Sequence, residues 1–327
     1  MTPLYSLVVP IFNEEAVLPV LLRRLDGLLP RLDGPAEVIF VDDGSSDISP
    51  IVLEAKARSD QRYRFLRLSR NFGQQVAMTS GMARARGQAI VIMDADLQDP
   101  PEIILDMIAK WREGFEIVYA QRLSRDGESK FKLLTSNLFY RVMGKLSDVD
   151  IPRDVGDFRL VDRKALDSFL AMPERDRFVR GMFSWIGFRQ TVVRFHRPAR
   201  AAGETKYSVG KMLRLAASGL VSFSDAPLRA ALWAGVAVCG VAIVYALSVV
   251  AMWLGGVNLA RGWSSTIVVM TFLGGANMLM TGVLGVYVGR IYSEVKRRPL
   301  YVVEREAGFA ASAGEAVGDG QAAARRA

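Results

Sequence analysis

A chain of 327 residues is long enough for a sizeable core and for more than one domain. Half of its residues are hydrophobic and the mean hydropathy is +0.18, high for a chain that meets only water, while a net charge of +8 favours acidic partners such as phosphates and anionic lipid. One cysteine, Cys239, and one histidine, His196, exclude an internal disulfide framework and argue against zinc. No basic helix or interleaved aromatic and basic strand occurs, so nucleic acid is not an expected partner.

In chain order, short apolar runs alternate with amphipathic stretches up to Arg122. "YSLVVPIF", "AEVIFVDD", "YRFLRLS", "AIVIMDAD" and "EIVYAQR" read as strands, with helices expected near 14–29, 47–58, 74–84 and 101–113. The opening "MTPLYSLVVPIFNEE" has no basic region and too short an apolar run for a signal peptide. Strand–helix alternation implies a parallel, doubly wound α/β sheet, whose ligands sit beyond the carboxyl ends of the strands. Three of these strands end in polar clusters: "NEE", "DDGSSD" and "DADLQD".

Two amphipathic stretches follow, 130–146 and 207–223, readable as helices packed on the core or lying in a membrane interface. The composition then changes. No charge falls between Arg229 and Arg261 or between Arg261 and Arg290, and 232–254 and 267–288 each fit the ~20 apolar residues of a bilayer span. Arg229 precedes the first span, whereas Arg290, Lys296, Arg297 and Arg298 follow the second; the connecting loop holds only Arg261. The positive-inside rule therefore puts both chain ends on the cytoplasmic side of a bacterial inner membrane. The expected division is a catalytic domain over 1–228, two membrane helices within 229–290, and a juxtamembrane segment with tail over 291–327. Beyond Arg305 the Ala/Gly/Glu-rich tail is expected to be disordered. Thr281, Gly285 and Gly289 form a small-residue face suited to close contact between the spans or between subunits, so a homo-oligomer, a tetramer among the options, is expected.

The carboxylates Asp94, Asp96 and Asp99 crowd one strand end, and a hard divalent cation, Mg2+ or Mn2+, would neutralise them. Asp-x-Asp alone is a weak motif, and an acidic solvated turn is the bland alternative. Asp42 and Asp43 at a second strand end change that balance. Asp42 is suited to accept hydrogen bonds from a uracil imide or a ribose, while Asp47 reads as an N-cap. The usual glycine-rich phosphate cradles of dinucleotide and P-loop sites are missing from the sequence.

Taken in order, "VVPIFNEE", "VDDGSSD", "RNFGQQVAMTSGM", "DADLQDPPE", "GDFRLVDR" and "RPARAAGETKYS" resemble glycosyltransferase family 2, most closely the polyisoprenyl-phosphate glycosyltransferases related to dolichyl-phosphate mannose synthase. The resemblance runs from about 4 to 303. It implies a GT-A (Rossmann-like) fold, a nucleotide-sugar donor and a polyprenyl phosphate acceptor embedded in the lipid bilayer. It further implies that Pro10, Asn13 and Glu14 line the nucleotide site, that Asp42 meets the base, and that Asp94 lies beside ribose and metal, with Asp96 and Gln98 ligating the metal. Arg122 and Arg125 match positions that meet the acceptor phosphate, with Lys132 and Ser136 in support. Asp157 matches an acid near the reaction centre, and Arg197, Arg200 and Lys206 a basic loop over the diphosphate. Thr205 stands where the family commonly has serine, keeping the hydroxyl. Glucose from UDP-glucose is the first expectation for the donor. Mannose, N-acetylhexosamine or modified arabinose donors are alternatives, as is a catalytically silent scaffold.

Overall fold

The structure, a computed structural model, describes residues 2–123, 155–175, 177–195, 226–255 and 262–309. The amphipathic stretches 130–146 and 207–223 lie outside these residues. The elements are β1 (Tyr5–Ile11), α1 (Leu18–Leu28), β2 (Ala36–Asp42), α2 (Ser49–Ser59), β3 (Tyr63–Leu68), α3 (Gln74–Arg84), β4 (Ala89–Ile92), α4 (Ile104–Arg112), β5 (Ile117–Arg122) and β6 (Val155–Asp162). There follow α5 (Arg163–Leu170), α6 (Val179–Trp185), β7 (Gln190–Phe195), α7 (Ala226–Leu254), α8 (Trp263–Val295) and β8 (Val303–Ala307).

Among the described residues eight strands form one sheet in the order β7, β5, β6, β4, β1, β2, β3, β8. The central strands β4, β1, β2 and β3 are parallel, as the alternating pattern implies. The sheet as a whole is mixed, which corrects the all-parallel expectation: β6 inserts antiparallel between β4 and β5, and β8 pairs antiparallel with β3. Alternate residues of each central strand serve two cores. Leu7, Val9 and Phe40 pack under α1 and α4, while Val8, Ile39 and Val41 pack under α3 and α5. Both faces being covered explains why these strands read as unbroken apolar runs.

Pro10 sits in a central strand, where its missing N–H should cost a ladder bond. The local register removes that cost. Val8 C=O accepts from Met93 N, so Pro10, two residues on, turns its nitrogen toward β4, whose pairing with β1 has already stopped at Val8 opposite Ile92. A gap therefore opens between β1 and β4 at their carboxyl ends. That gap is where the candidate site lies.

Among the described side chains of α7 and α8 most apolar ones are exposed, including Leu232, Trp233, Val241, Leu247, Phe272, Met278 and Ile291. Among the described residues, the stretch Phe272–Val295 is long and apolar enough to cross a membrane, and none of it is buried. The two helices touch where Gly235 faces Met280; a Cβ on that glycine would come within 3.4 Å of the methionine Cε. Gly285 and Gly289 have no described atom within 4 Å of an added Cβ, so the small-residue stripe does not form this contact.

The chain beyond α8 returns to the sheet. Tyr301, Val303 and Phe309 pack on the core beneath α3, and β8 extends the sheet edge. Residues 306–309 therefore belong to the fold, which corrects the expected start of a disordered tail after Arg305.

Candidate active site

Three loops meet at the carboxyl ends of β1, β2 and β4. After β1, Asn13 adopts φ 55°, a left-handed conformation that asparagine tolerates. Its Oδ1 accepts from Ser46 N at 2.9 Å and its own N–H donates to Ser45 Oγ at 2.9 Å, tying the first loop to the second. Glu14 N donates to Ser49 Oγ and Glu15 N to Asp47 Oδ2. Asp47 also accepts from Ser49 N at 3.0 Å and so braces the start of α2, but the N-cap position itself is Ile48, which corrects the expected N-cap by one residue. Asn13 and Glu14 thus reach the rim, with their loop fixed by hydroxyls and acids of the second cluster.

Asp42 is fully buried at the end of β2. Its Oδ1 accepts from Ser45 N at 3.2 Å, but its Oδ2 makes no hydrogen bond and stands 3.4 Å from Arg67 Nε. Burial pushes its carboxyl above the ordinary range against the pull of Ser45 and Arg67. A buried acceptor with a free lone pair is costly unless a ligand supplies the donor. Asp43 has a different task. It accepts from Phe72 N and Gly73 N at 2.7 and 2.9 Å and so anchors the "RNFG" loop ahead of α3.

The acids after β4 divide. Asp99 is buried and bound in a bidentate pair by Arg122, at 3.2 and 2.9 Å. This corrects the idea that one cation neutralises all three carboxylates, and it gives Arg122 a carboxylate partner where an acceptor phosphate was expected. Asp94 and Asp96 form no ion pair among the described residues. Asp94 accepts from Gln74 Nε2 at 2.7 Å, and Asp96 only closes a turn by accepting from Gln98 N at 3.1 Å. Leu97 between Asp96 and Gln98 holds φ 55°, a conformation leucine rarely takes, so the turn carries strain at the rim. Removal from water, then repulsion from Asp157, Asp96 and Asp99, pushes the Asp94 carboxyl up to about 7.

Asp157 arrives by sheet register. Ile92 lies opposite Arg159 in the antiparallel β4–β6 pair, so two residues further along, Asp157 comes up beside Asp94. The β5–β6 pairing is irregular here, Tyr119 standing opposite Arg159 but Gln121 opposite Val155, which bulges β6 around Asp157. Arg180 of α6 donates to both carboxylate oxygens at 2.8 and 3.1 Å, and the fully buried Arg159 donates to Oδ1 at 3.2 Å. Burial alone would raise the Asp157 carboxyl, but Arg180 and Arg159 outweigh it and hold it below the ordinary carboxylate range. Arg159 is itself packed against the rings of Tyr119 and Phe183, each 5.3 Å from the guanidinium carbon.

Among the described residues no three His, Cys, Asp or Glu side chains converge as a ready-made metal cluster. Asp94 and Asp96 suit an ion of the magnesium kind, which commonly takes one or two carboxylates and draws its other ligands from substrate phosphate and water. The Asp94 carboxyl is raised by burial first and by its acidic neighbours second, and a bound cation would favour its ionised form against both. Gln98, partly buried, closes the same turn.

The family model for Glycosyl transferase family 2 matches residues 6–170, which contain every acid of this rim. The chain belongs to glycosyltransferase family 2. It is 47% identical over 305 residues to "Uncharacterized glycosyltransferase YkcC" of Bacillus subtilis (strain 168), across 93% of this chain and 94% of that one. It is 39% identical over 300 residues to the "Prophage bactoprenol glucosyl transferase homolog" of Escherichia coli (strain K12), across 92% and 98%. Against the "Bactoprenol glucosyl transferase" of Shigella phage SfX the identity is 37% over 302 residues, across 91% and 98%.

Asp94, Asp96, Asp42 and Asp157 are brought to one rim of the sheet. Arg125, Lys132, Ser136, Arg197, Arg200 and Lys206 lie outside the described residues, as do His196 and Thr205. Four residues at the rim escaped the sequence reading: Gln74, Gln75, Arg159 and Arg180. Gln75 Oε1 accepts from Val179 N at 3.1 Å and its Nε2 reaches Asp157 at 3.5 Å, linking α3 to α6. Gln74, Gln75 and Arg159 stand inside the quoted motifs "RNFGQQVAMTSGM" and "GDFRLVDR"; Arg180 lies in no motif.

Proposed function

We propose that this protein transfers a sugar from a nucleotide sugar to polyprenyl phosphate at the cytoplasmic face of a bacterial membrane, with inversion at the anomeric carbon. The observation that carries the reading is the divided acid set: among the described residues Asp94 and Asp96 form no ion pair and the buried Asp42 keeps an oxygen without a hydrogen bond, while Asp99 and Asp157 are satisfied by arginines. The bactoprenol glucosyl transferases to which the chain is similar support the acceptor, and glucose from UDP-glucose is the first candidate donor. Their similarity covers over nine-tenths of this chain, so it cannot leave either long helix outside the match.

Asp42 Oδ2 would accept from the base, with Pro10, Asn13 and Glu14 lining the same pocket. Asp94, Asp96 and Gln98 would hold Mg2+ or Mn2+, and a bound ion would neutralise charge developing on the departing diphosphate. A lipid phosphate oxygen attacks the anomeric carbon, the carbon–oxygen bond to the diphosphate breaks, and the nucleoside diphosphate leaves. A phosphate monoester has a second pKa of about 6, so the nucleophile is already largely dianionic at pH 7. It needs no strong base. Asp157, held below the ordinary range by two arginines, is a poor proton acceptor and a good fixed anion; its role here is to orient Arg180 and the reaction centre. Arg122, and outside the described residues Arg125, Lys132, Ser136, Arg197, Arg200 and Lys206, would supply positive and hydroxyl groups to the acceptor phosphate and diphosphate.

Two spans, α7 and α8, would hold the rim at the depth of the acceptor's head group, with Arg229 and the Arg290–Arg298 cluster on the cytoplasmic side. The test is to incubate membranes containing the protein with undecaprenyl phosphate and a panel of labelled sugar nucleotides, with and without EDTA. The reading expects one donor to label the lipid, EDTA to stop it, and the product to carry inverted configuration by NMR. No labelled lipid from any donor, or transfer undiminished in EDTA, overturns it.

A further inference from the structure

The strand β8 does more than close the sheet edge. Its pairing with β3 is interrupted: Arg67 lies opposite Arg305, but Leu68 lies opposite Val303. Glu304 is therefore the extra residue of a β-bulge. In an unbroken ladder it would stand opposite Leu68 and share that residue's face of the sheet, beneath α3. The bulge instead turns it to the face of Arg67, and Glu304 Oε2 lies 3.0 Å from Arg67 Nε. The same Nε makes no hydrogen bond, is ion-paired to Glu304 by distance alone, and stands 3.4 Å from Asp42 Oδ2, the buried oxygen that also makes none. Arg67 Nη2 also donates to Ser45 O at 3.3 Å, in the loop whose amide holds Asp42 Oδ1.

We infer that Glu304 is a positioning residue for nucleobase recognition, holding Arg67 away from a full hydrogen bond with Asp42 so that Asp42 Oδ2 stays open to a donor on the base. This rests on the nucleotide site proposed above. Without the Glu304 carboxylate, Arg67 is free to close on Asp42 and occupy the acceptor the base needs. The bulge supplies the geometric reason: an edge strand needs no extra residue to pair, and this one places an acid on a guanidinium at the rim. Because β8 begins eight residues after α8 ends, the long apolar helix and the base pocket are joined through this strand.

The test measures binding to the full-length protein in detergent by calorimetry, with UDP and GDP as nucleotide probes and inorganic pyrophosphate as a probe without a base. Glu304→Gln should weaken the nucleotide that the wild type binds by about threefold to fivefold, the scale of a partly exposed ion pair. Pyrophosphate affinity should hold or rise, since removing a negative charge favours any anion. Glu304→Asp should recover part of the loss, and in transfer assays KM for the donor should rise with kcat and acceptor KM unchanged. Unchanged nucleotide affinity in Glu304→Gln overturns the inference, as does equal weakening of nucleotide and pyrophosphate or a fall in kcat alone with a lowered melting temperature. Asp42→Asn in the same assay separates the two levels. If it weakens nucleotide binding while Glu304→Gln does not, the positioning role alone fails; if neither matters, the nucleotide site is elsewhere and both fail.

Discussion

The two halves of the rim use the same side chain, aspartate, in opposite ways. On the β5–β6 side, Asp99 and Asp157 are buried and saturated by Arg122, Arg159 and Arg180. At the ends of β4 and β2, Asp94 and Asp96 form no ion pair among the described residues and Asp42 keeps one oxygen without a hydrogen bond, 3.4 Å from Arg67. The Asp94 and Asp42 carboxyls are pushed up by loss of water. Paired acids rigidify a site, because breaking them strands a buried charge; unpaired acids are a standing cost that only a ligand removes. Under the proposed function, the difference puts the ligand on the open side. Charge is provided for on one side by the protein itself and on the other by whatever binds.

The largest effect should come from breaking the saturated half. Asp157→Ala leaves Arg159 buried without its counter-ion and should cost about 3–5 kcal/mol of stability, seen as a lost or sharply lowered thermal transition. An unchanged melting temperature would show that this half is not structural. The open half should respond in the reverse sense. Asp96→Asn, at an exposed position, should leave the melting temperature alone while lowering sugar transfer roughly 100-fold, about 2.7 kcal/mol of transition-state stabilisation. Loss of folding with retained activity would invert the comparison.

Protons should report the same asymmetry. Metal binding needs Asp94 deprotonated, and its carboxyl in the metal-free protein sits at about 7. Mn2+ affinity should therefore fall as the pH drops below about 7, by up to about tenfold per unit for one displaced proton. Calorimetry in buffers of different ionisation enthalpy should show proton release on binding at pH 6 and little at pH 8. Asp157 already lies below the ordinary range and should release nothing in this window. The smallest change is Gln74→Ala, which removes one hydrogen bond from Asp94; it should weaken Mn2+ by about 1 kcal/mol or less and leave stability unchanged.

Much of the open half was legible in the chain, because its acids follow apolar runs directly and an apolar run ending in Asp is a strand end in an α/β sheet. The five strands up to Arg122 and the helices between them fall within a few residues of their expected places for the same reason. The saturated half was not legible. Arg180 pairs with Asp157 from a separate helix, and nothing local to Arg122 shows that the sheet delivers Asp99 to it. β8 was hidden by its own chemistry: "VEREA" is charged in the way exposed edge strands are, and so it read as the end of a juxtamembrane segment running into a tail after Arg305.

The central claim is that Asp94 and Asp96, and not Asp99 and Asp157, are the acids that take a divalent ion with the nucleotide. Its most direct measurement is Mn2+ binding followed by electron paramagnetic resonance on the full-length protein, with UDP and with GDP present, for wild type, Asp94→Asn, Asp96→Asn and Asp99→Asn. The account predicts a nucleotide-dependent bound Mn2+ signal that vanishes in Asp94→Asn and Asp96→Asn and persists in Asp99→Asn. Bound Mn2+ retained in both of the first two variants, or lost in Asp99→Asn alone, would contradict it.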